Sequence, residues 1–311
     1  MWVHTTPTMS DTAIDLRRRG YHQEYSKMAA SSMKEVFDIT PYPWQLAIIT
    51  HLLSMVVPCS GISPAPVLLV RPTGGGKSSV RDVYSVMNGS ISLTITPLLA
   101  LGADQDEKIS LKAKQTSGTV ASVHLDEIRR KSDQQELVCL IQALPDKSHT
   151  TLFIFSSPQA ILNKSFLWLD LIDWLIAHGR LSMVCVDELH LFVHFGMTFR
   201  DEFKALTPVL FSKLKVQGSN TRSSILILFM TATCTKSIVD TVEKIVGFMF
   251  DKQSKVFWPR PEEMQHRQVL LDVNYTTQAL HVFKKRTQTL LKHSTLESIL
   301  CILTLLLLLI V

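Results

Sequence analysis

A glycine-rich segment has the residue types that bind nucleotide phosphates. The sequence Pro-Thr-Gly-Gly-Gly-Lys-Ser-Ser follows an apolar run at 66–70 and precedes a predicted helix at 79–87. Glycines let the backbone curl so that its N–H groups face phosphate oxygens, and a helix N-terminus favours the same anion. A nucleotide-binding loop is therefore predicted. Its members are Thr73, Gly74, Gly75, Gly76, Lys77, Ser78 and Ser79.

Two side chains of this loop have separate expected roles. Lys77 is long enough to reach the β- and γ-phosphates of ATP, and the Ser78 hydroxyl is a suitable ligand for Mg²⁺. The strict pattern has glycine at its first position, where this sequence has Arg71. The alternative interpretation is a glycine-rich surface turn that happens to contain Lys-Ser.

Two adjacent acids follow another apolar run. Asp187 and Glu188 come directly after 184–186, and the end of a buried strand is where an open parallel sheet presents its ligand-binding residues. Asp187 is predicted to bind Mg²⁺ through water, and Glu188 to orient or deprotonate an attacking water. His190 is predicted to couple this site to a third motif. An isolated Asp-Glu pair would fit a solvated loop equally well.

The third motif is Thr-Ala-Thr at 231–233, after the apolar run 225–230. Its two hydroxyl groups are placed to hydrogen-bond the segment 187–190, although an ordinary strand end is the alternative. The three motifs in this order favour the functional interpretation, because a nucleotide-driven motor needs all three.

The elements that must position these motifs alternate along the chain. Short runs of β-branched, aromatic or other apolar residues are separated, in most cases, by segments capable of forming helices. Such runs are typical of a mostly parallel sheet that is covered by helices on both faces. The predicted fold is therefore α/β, a RecA-like P-loop NTPase domain. The predicted strands are 66–70, 91–96, 118–124, 151–156, 182–186 and 225–230.

Four regions are expected along the chain. Helices at 21–37 and 44–55 would precede the first strand. The regions are a loose leader at 1–20, the ATP-binding domain at 21–275, a bridge at 276–297 and a hydrophobic tail at 298–311.

The sequences PTGGGKS, DELH and MTAT resemble motifs I, II and III of RecQ-type helicases, a branch of the superfamily-two DEAD/DEAH-box enzymes. The resemblance covers roughly residues 35–275. It implies the first RecA-like domain of an ATP-dependent DNA helicase that moves 3′ to 5′, with ATP and Mg²⁺ as cofactors. Single-stranded or forked DNA is the implied partner.

Other segments extend the resemblance. Gln45 resembles the adenine contact of the family, with Phe37 as an upstream aromatic residue. The segment containing Thr96, Pro97 and Gln105 resembles motif Ia, which touches the DNA backbone. The segment 194–200 resembles the aromatic-rich loop that couples single-stranded DNA to ATP hydrolysis. Its expected nucleic-acid contacts are Phe195, Phe199 and Arg200.

The chain departs from the family pattern at two of these segments. Tyr42 occupies the position of the arginine expected three residues before Gln45. In the aromatic-rich loop, Phe195 replaces tryptophan, and Met197 and Thr198 replace His-Asp. These changes bear on coupling between DNA and ATP more than on ATP binding.

No second sheet fits into the residues after Thr233, and this shapes the functional hypotheses. In the family, a second RecA-like domain supplies an arginine to the transferring phosphoryl group, so such a domain is expected in trans. One hypothesis is the motor half of a DNA helicase. The other is a catalytically incomplete or degenerate nucleotide- or DNA-binding module. An RNA helicase is less favoured, since its motifs more often contain Gly-Ser-Gly-Lys-Thr, Asp-Glu-Ala-Asp and Ser-Ala-Thr.

Composition adds limits on location and partners. The net charge of +5 permits nucleic-acid binding without arguing for it. The five cysteines form no CxxC pair and the N-terminus has no secretory pattern, so the nucleus or cytoplasm is expected. The apolar residues 299–311 would rise only about 20 Å as a helix, against a bilayer core of roughly 30 Å. Membrane tethering through this tail and a packing or artefactual role both stay open.

Overall fold

One parallel sheet forms the centre of the protein. The computed structural model describes residues 9–55, 66–89, 91–97, 99–115, 120–144, 151–194, 196–216, 225–247 and 256–257. These residues lie in a compact unit that ends at Trp258. The strands are β1 (Val67–Val70), β2 (Ile91–Ile95), β3 (Val120–His124), β4 (Thr151–Ser156), β5 (Leu181–Val186), β6 (Leu226–Thr231) and β7 (Val256–Phe257).

The strand order is β3-β4-β2-β5-β6-β1-β7, and every neighbouring pair is parallel. The six predicted strands are confirmed, with ends that differ by one or two residues. Strand β7 was not predicted, because a two-residue strand leaves no periodic pattern in the sequence. The order places the carboxyl ends of β1, β6, β5 and β2 side by side, which is where an open α/β sheet binds ligands.

Helices cover both faces of the sheet, as predicted. The helices are α1 (Met9–Phe37), α2 (Pro43–Met55), α3 (Lys77–Asn88), α4 (Leu99–Gln115), α5 (Lys131–Ala143), α6 (Pro158–Leu162), α7 (Trp168–Ala177), α8 (Leu189–His194), α9 (Gly196–Leu206), α10 (Ser212–Val216) and α11 (Lys236–Val246). A three-residue 3₁₀ turn, Leu125–Glu127, follows β3, and a π-helical turn, Thr207–Phe211, joins α9 to α10.

Alternate residues of a strand pack into two separate hydrophobic cores. Leu68 and Val70 belong to the core that includes α7, α9 and α11. Val67 and Leu69 belong to the core that includes α1, α2 and α3. Side chains alternate in this way because successive residues of a strand point to opposite faces. A strand such as β1, which is buried on both faces, is therefore apolar at every position, and this explains the continuous apolar run that the sequence shows there.

The N-terminal helix is longer than expected. Helix α1 begins at Met9 rather than at residue 21, so residues 9–20 of the expected leader are helical. The segment has no proline that would interrupt a helix. The composition of residues 9–20 had indicated a loose leader and not a helix.

Three expectations fall on residues outside the described ranges. They are the domain end at 275, the bridge at 276–297 and the tail at 298–311. Across the described ranges, no helix is both long enough and apolar enough to span a bilayer.

Candidate nucleotide site

The glycine-rich loop connects β1 to α3 in the conformation that the sequence predicted. Gly74 and Gly76 have positive φ values of 70° and 87°, a region that favours glycine. A Cβ atom added to Gly76 would lie 2.5 Å from Gln45 Nε2, and one added to Gly75 would lie 2.8 Å from the Pro72 carbonyl oxygen. The loop therefore needs these glycines for both its curl and its close packing.

Lys77 lies at the first turn of α3 with its side chain buried. Its ammonium group donates to the Arg71 carbonyl oxygen at 3.0 Å and lies 3.8 Å from Glu188 Oε1. The group is thus held between the loop and the acid. A phosphate in the loop would offer this ammonium a charged acceptor, which is a stronger partner than a carbonyl.

Gln45 is buried against the loop. Its Oε1 accepts from the Tyr42 backbone N–H at 2.8 Å, and its Nε2 donates to the Gly76 carbonyl oxygen at 3.1 Å. Tyr42, which replaces the family's arginine, thus contributes a main-chain group. The neighbouring Trp44 ring lies 4.4 Å from the Arg71 guanidinium, a cation–π contact that sequence analysis missed.

Asp187 follows β5 and is buried. Its Oδ1 accepts from the Glu188 backbone N–H at 2.9 Å, and its Oδ2 accepts from Gln105 Nε2 at 2.8 Å. Each oxygen therefore accepts one hydrogen bond and keeps further lone-pair capacity. Glu188 itself has φ of 46°, an uncommon backbone conformation for a residue other than glycine and one often found at functional sites.

A hydrogen bond joins His190 to the third motif, as expected. Thr231 Oγ1 donates to the Thr233 carbonyl oxygen at 2.7 Å and lies 2.9 Å from His190 Nδ1. Because the hydroxyl has one proton, His190 Nδ1 must donate to Thr231. The same Nδ1 lies 3.3 Å from Glu188 Oε2. His190 thus connects the ends of β5 and β6.

The environment of Glu188 favours its ionised form. Burial raises the pKa of this carboxyl group, since the charged form loses hydration. The nearby His190 ring and the charge of Lys77 lower it, and the net pKa lies below the ordinary value. Glu188 is therefore a carboxylate near neutral pH.

These residues border one cleft of about 500 Å³, a volume within the range of nucleotide and cofactor sites. The predicted residues Gln45, Gly75 and His190 support the cleft without lining it. Phe37 contributes an apolar wall to the cleft. The predicted residues that line the cleft are Thr73, Gly74, Gly76, Lys77, Ser78, Ser79, Gln105, Asp187 and Glu188.

Sequence analysis missed two charged residues beside this cleft. Arg81 and Asp82 on α3 are buried, and Arg81 donates to Asp82 Oδ1 and to Gln105 Oε1. The signal was available, because Arg81 is four residues after Lys77 and so lies on the same side of the helix.

The structure describes part of the expected nucleic-acid contacts, and these contacts stay a prediction. The Gln105 amide is buried between Asp187 and Arg81 and lines the cleft. Thr96 and Pro97 are buried after β2. Phe195 and the side chains of Phe199 and Arg200 lie outside the described residues.

The cleft offers hard oxygen ligands of the kind that Mg²⁺ prefers. Ser78 and the buried carboxylate of Asp187 both border it. No group of three or more His, Cys, Asp or Glu side chains able to hold a metal occurs among the described residues. This donor set fits a cation that takes its remaining ligands from phosphate oxygens and water.

Comparison with known proteins agrees with this geometry. Residues 42–241, more than half of the chain, match the DEAD/DEAH box helicase family. The rat ATP-dependent DNA helicase Q1 is 29% identical over 58% of this chain and 26% of its own length. The Caenorhabditis elegans putative ATP-dependent DNA helicase Q1 is 24% identical over 72% of this chain and 31% of its own. ATP-dependent DNA helicase RecQ of Pasteurella multocida is 25% identical over 45% and 19%.

Solved structures of helicases are also similar. The DUF1998 helicase MrfA has a TM-score of 0.49 and 15% identity, over 86% of this chain and 41% of that one. The helicase domain of Pyrococcus furiosus Hef has a TM-score of 0.45 and 16% identity, over 74% and 41%. The family match, the order of the three motifs and their convergence on one cleft agree. The chain belongs to the DEAD/DEAH box helicase family and is related to its RecQ-type DNA helicases.

Proposed function

We propose that this chain is the ATP-binding motor half of a 3′-to-5′ DNA helicase and that it binds Mg-ATP in the cleft between α3, α4 and β5. Membership of the helicase family implies ATP use. The observation that supports the site most strongly is the convergence of Lys77, Asp187 and Glu188, which are far apart in sequence, on that cleft.

The loop residues would hold the triphosphate. Backbone N–H groups of the loop and the Lys77 ammonium would bind the β- and γ-phosphates, and Gln45 would recognise adenine from its position beside Gly76. Ser78 and Asp187 would hold Mg²⁺. When bound, this ion neutralises charge that develops on the phosphate oxygens.

Glu188 would act on the attacking water. Its lowered pKa keeps it ionised, so it is able to accept a hydrogen bond from water and orient the oxygen toward the γ-phosphate. The chain from Glu188 through His190 to Thr231 would then report the state of the nucleotide to the end of β6.

Nucleic-acid binding is the second part of the proposal. Single-stranded or forked DNA is favoured over RNA because the DELH and MTAT motifs resemble those of RecQ-type enzymes, and because relatives are named as DNA helicases. A weak affinity for single-stranded DNA is expected that falls as salt rises from about 50 to 200 mM, since backbone contacts release counterions. Fluorescence anisotropy measures it. A salt-independent affinity would argue against this part.

A second RecA-like domain, acting in trans, would complete the motor. The alternative function is a nucleotide- or DNA-binding module with little catalysis. Met197 and Thr198, where the family has His-Asp, favour this alternative because they weaken the link between DNA and ATP. In this alternative the tail would tether the module to a membrane. Equal soluble fractions of the full chain and a version ending at Glu297 would exclude the tether.

Substitution Lys77→Ala tests nucleotide binding. Calorimetry is expected to show Mg-ATP affinity reduced by roughly 10- to 100-fold, because a hydrogen bond to a charged group contributes about 1.5–3 kcal/mol. Lys213→Ala is the matched control, since Lys213 pairs with Asp173 on α7, a helix of the opposite core. Unchanged affinity in the folded Lys77 variant would exclude this cleft as the ATP site.

A further inference from the structure

Three buried polar side chains stand behind Asp187 and belong to none of the three motifs. Arg81 and Asp82 lie on α3, and Gln105 lies on α4. Their exposed fractions are 1%, 8% and 9%. Burying a charge is costly unless it is paired and hydrogen-bonded, so a buried arginine beside a nucleotide site has to be explained.

The hydrogen bonds give this group a fixed direction. Arg81 Nη1 donates to Gln105 Oε1 at 2.6 Å, and Gln105 Nε2 donates to Asp187 Oδ2 at 2.8 Å. An arginine is only a donor, so the Gln105 oxygen has to face Arg81. The amide nitrogen then has to face Asp187, where a carboxylate needs a donor. Arg81 thereby sets the orientation of the group that holds Asp187.

The positive charge of Arg81 is paired with Asp82. Arg81 Nε and Nη2 donate to Asp82 Oδ1 at 2.7 and 2.5 Å, and the guanidinium lies over the Phe155 ring at 5.2 Å. The arginine charge is therefore matched by Asp82. Without that match, the guanidinium would act on Asp187 as a fixed cation and oppose a bound divalent ion.

We propose that Arg81, Asp82 and Gln105 are positioning residues that hold the Asp187 carboxylate in place, and that Asp82 cancels the Arg81 charge so that Asp187 is free to attract Mg²⁺. This inference rests on the proposed function. It also assigns α4 a role in the site, because Gln105 links that helix to the acid that would hold the metal.

The test compares nucleotide affinity with and without the metal. Calorimetry measures the affinity for the nonhydrolysable analogue AMP-PNP in Mg²⁺ and in EDTA. The dissociation constant in EDTA divided by the dissociation constant in Mg²⁺ is the ratio that measures the preference for Mg²⁺. In Asp82→Asn this ratio is expected to fall by about tenfold, because an uncompensated charge near Asp187 opposes the ion. Affinity in EDTA is expected to hold or rise, since the same charge attracts phosphate.

A double variant that restores the charge balance separates the proposed cancellation of the Arg81 charge from a simple loss of packing. Arg81→Gln combined with Asp82→Asn removes both charges and keeps a donor for Gln105, so the ratio is expected to return to within about threefold of the parent. A loss of packing alone would make the double variant worse than the single one. Asp173→Asn, which leaves Lys213 unpaired on the opposite side of the sheet, is the matched control.

Gln105→Met supplies a second test if Asp82→Asn does not fold. The side chain keeps its length but loses the donor to Asp187, and the ratio is expected to fall by about three- to tenfold, which corresponds to the net contribution of a typical hydrogen bond. An unchanged ratio in either folded variant, or a double variant with a lower ratio than Asp82→Asn, would overturn the positioning role and leave the proposed function standing. A parent chain that binds no AMP-PNP in either buffer would overturn the proposed function, and this inference with it.

Discussion

At the residue scale, Glu188 combines an unusual backbone with a stabilised charge. Its φ of 46° is a conformation that costs a residue with a Cβ about 1–2 kcal/mol. His190 and Lys77 lie within 3.3 and 3.8 Å of its carboxylate oxygens. These contacts stabilise the ionised carboxylate and so offset part of the backbone cost.

Stability at acidic pH tests this description of Glu188. The folded-state pKa lies below its ordinary value of about 4.3, so the ionised group stabilises the fold above that pH. As pH falls from about 4.3 through the lowered folded-state pKa, this contribution is lost. The difference in unfolding free energy between the parent and Glu188→Gln is therefore expected to shrink on acidification, as measured by urea denaturation between pH 7 and 3.

The exposed Glu136 gives the control for this experiment, because Glu136→Gln removes a carboxylate without a buried environment. A difference for Glu188→Gln that grows as the pH falls would contradict the assignment. It would mean that burial, which raises the pKa, dominates over the contacts with His190 and Lys77.

Local sequence patterns predicted the proposed catalytic residues but not the residues that support them. Lys77, Asp187 and Glu188 occur in short motifs whose chemistry is visible in sequence. Arg81 and Asp82 do not, because their burial and the bond from Arg81 to Gln105 on α4 are tertiary features that no local pattern contains. The contact of Gln105 with Asp187 was missed for the same reason.

At the element scale, strand order explains how distant motifs meet. Strand β6 lies between β1 and β5, so Thr231 is adjacent to both the glycine-rich loop and the acids. Strand β2 lies on the other side of β5, and this places α4 and Gln105 beside Asp187. Sequence analysis predicted six strands and their parallel direction. It did not predict the order of the strands, because that order depends on how the crossover connections between strands pack against the sheet.

The junction of the loop with α3 gives a prediction at this scale. Gly76→Ala introduces a Cβ at a positive φ and within 2.5 Å of Gln45 Nε2. The expected result is a loss of about 1–2 kcal/mol in unfolding free energy from the backbone alone. Displacement of the Gln45 amide should in addition weaken ATP binding.

Gly89→Ala is the matched control for the backbone cost, since Gly89 ends the same helix with φ of 54°. Chemical denaturation measures stability and calorimetry measures ATP affinity. The Gln45 contribution is supported if only Gly76→Ala loses affinity. Equal ATP affinity in the two variants would show that displacement of the Gln45 amide does not weaken ATP binding.

At the scale of the whole molecule, the described sheet would provide one wall of the proposed motor site. Phosphoryl transfer in helicases takes place between two RecA-like domains, and the facing domain supplies an arginine to the transition state. The residues that the structure describes form a single sheet, with Lys77 as the cation beside Glu188. This polypeptide is therefore expected to bind ATP without hydrolysing it rapidly.

A polypeptide of these 311 residues is expected to bind ATP but to hydrolyse it slowly and to leave duplex DNA paired. An arginine from a facing domain contributes roughly 10³-fold or more in rate, which corresponds to about 4 kcal/mol of transition-state stabilisation. A separately added second RecA-like domain from a RecQ-type relative should raise the rate. The measurement is DNA-stimulated phosphate release with and without that domain, with Glu188→Gln as background. Rapid release by the polypeptide alone that disappears in Glu188→Gln would contradict the prediction, because it would require an arginine or an equivalent cation from within these residues.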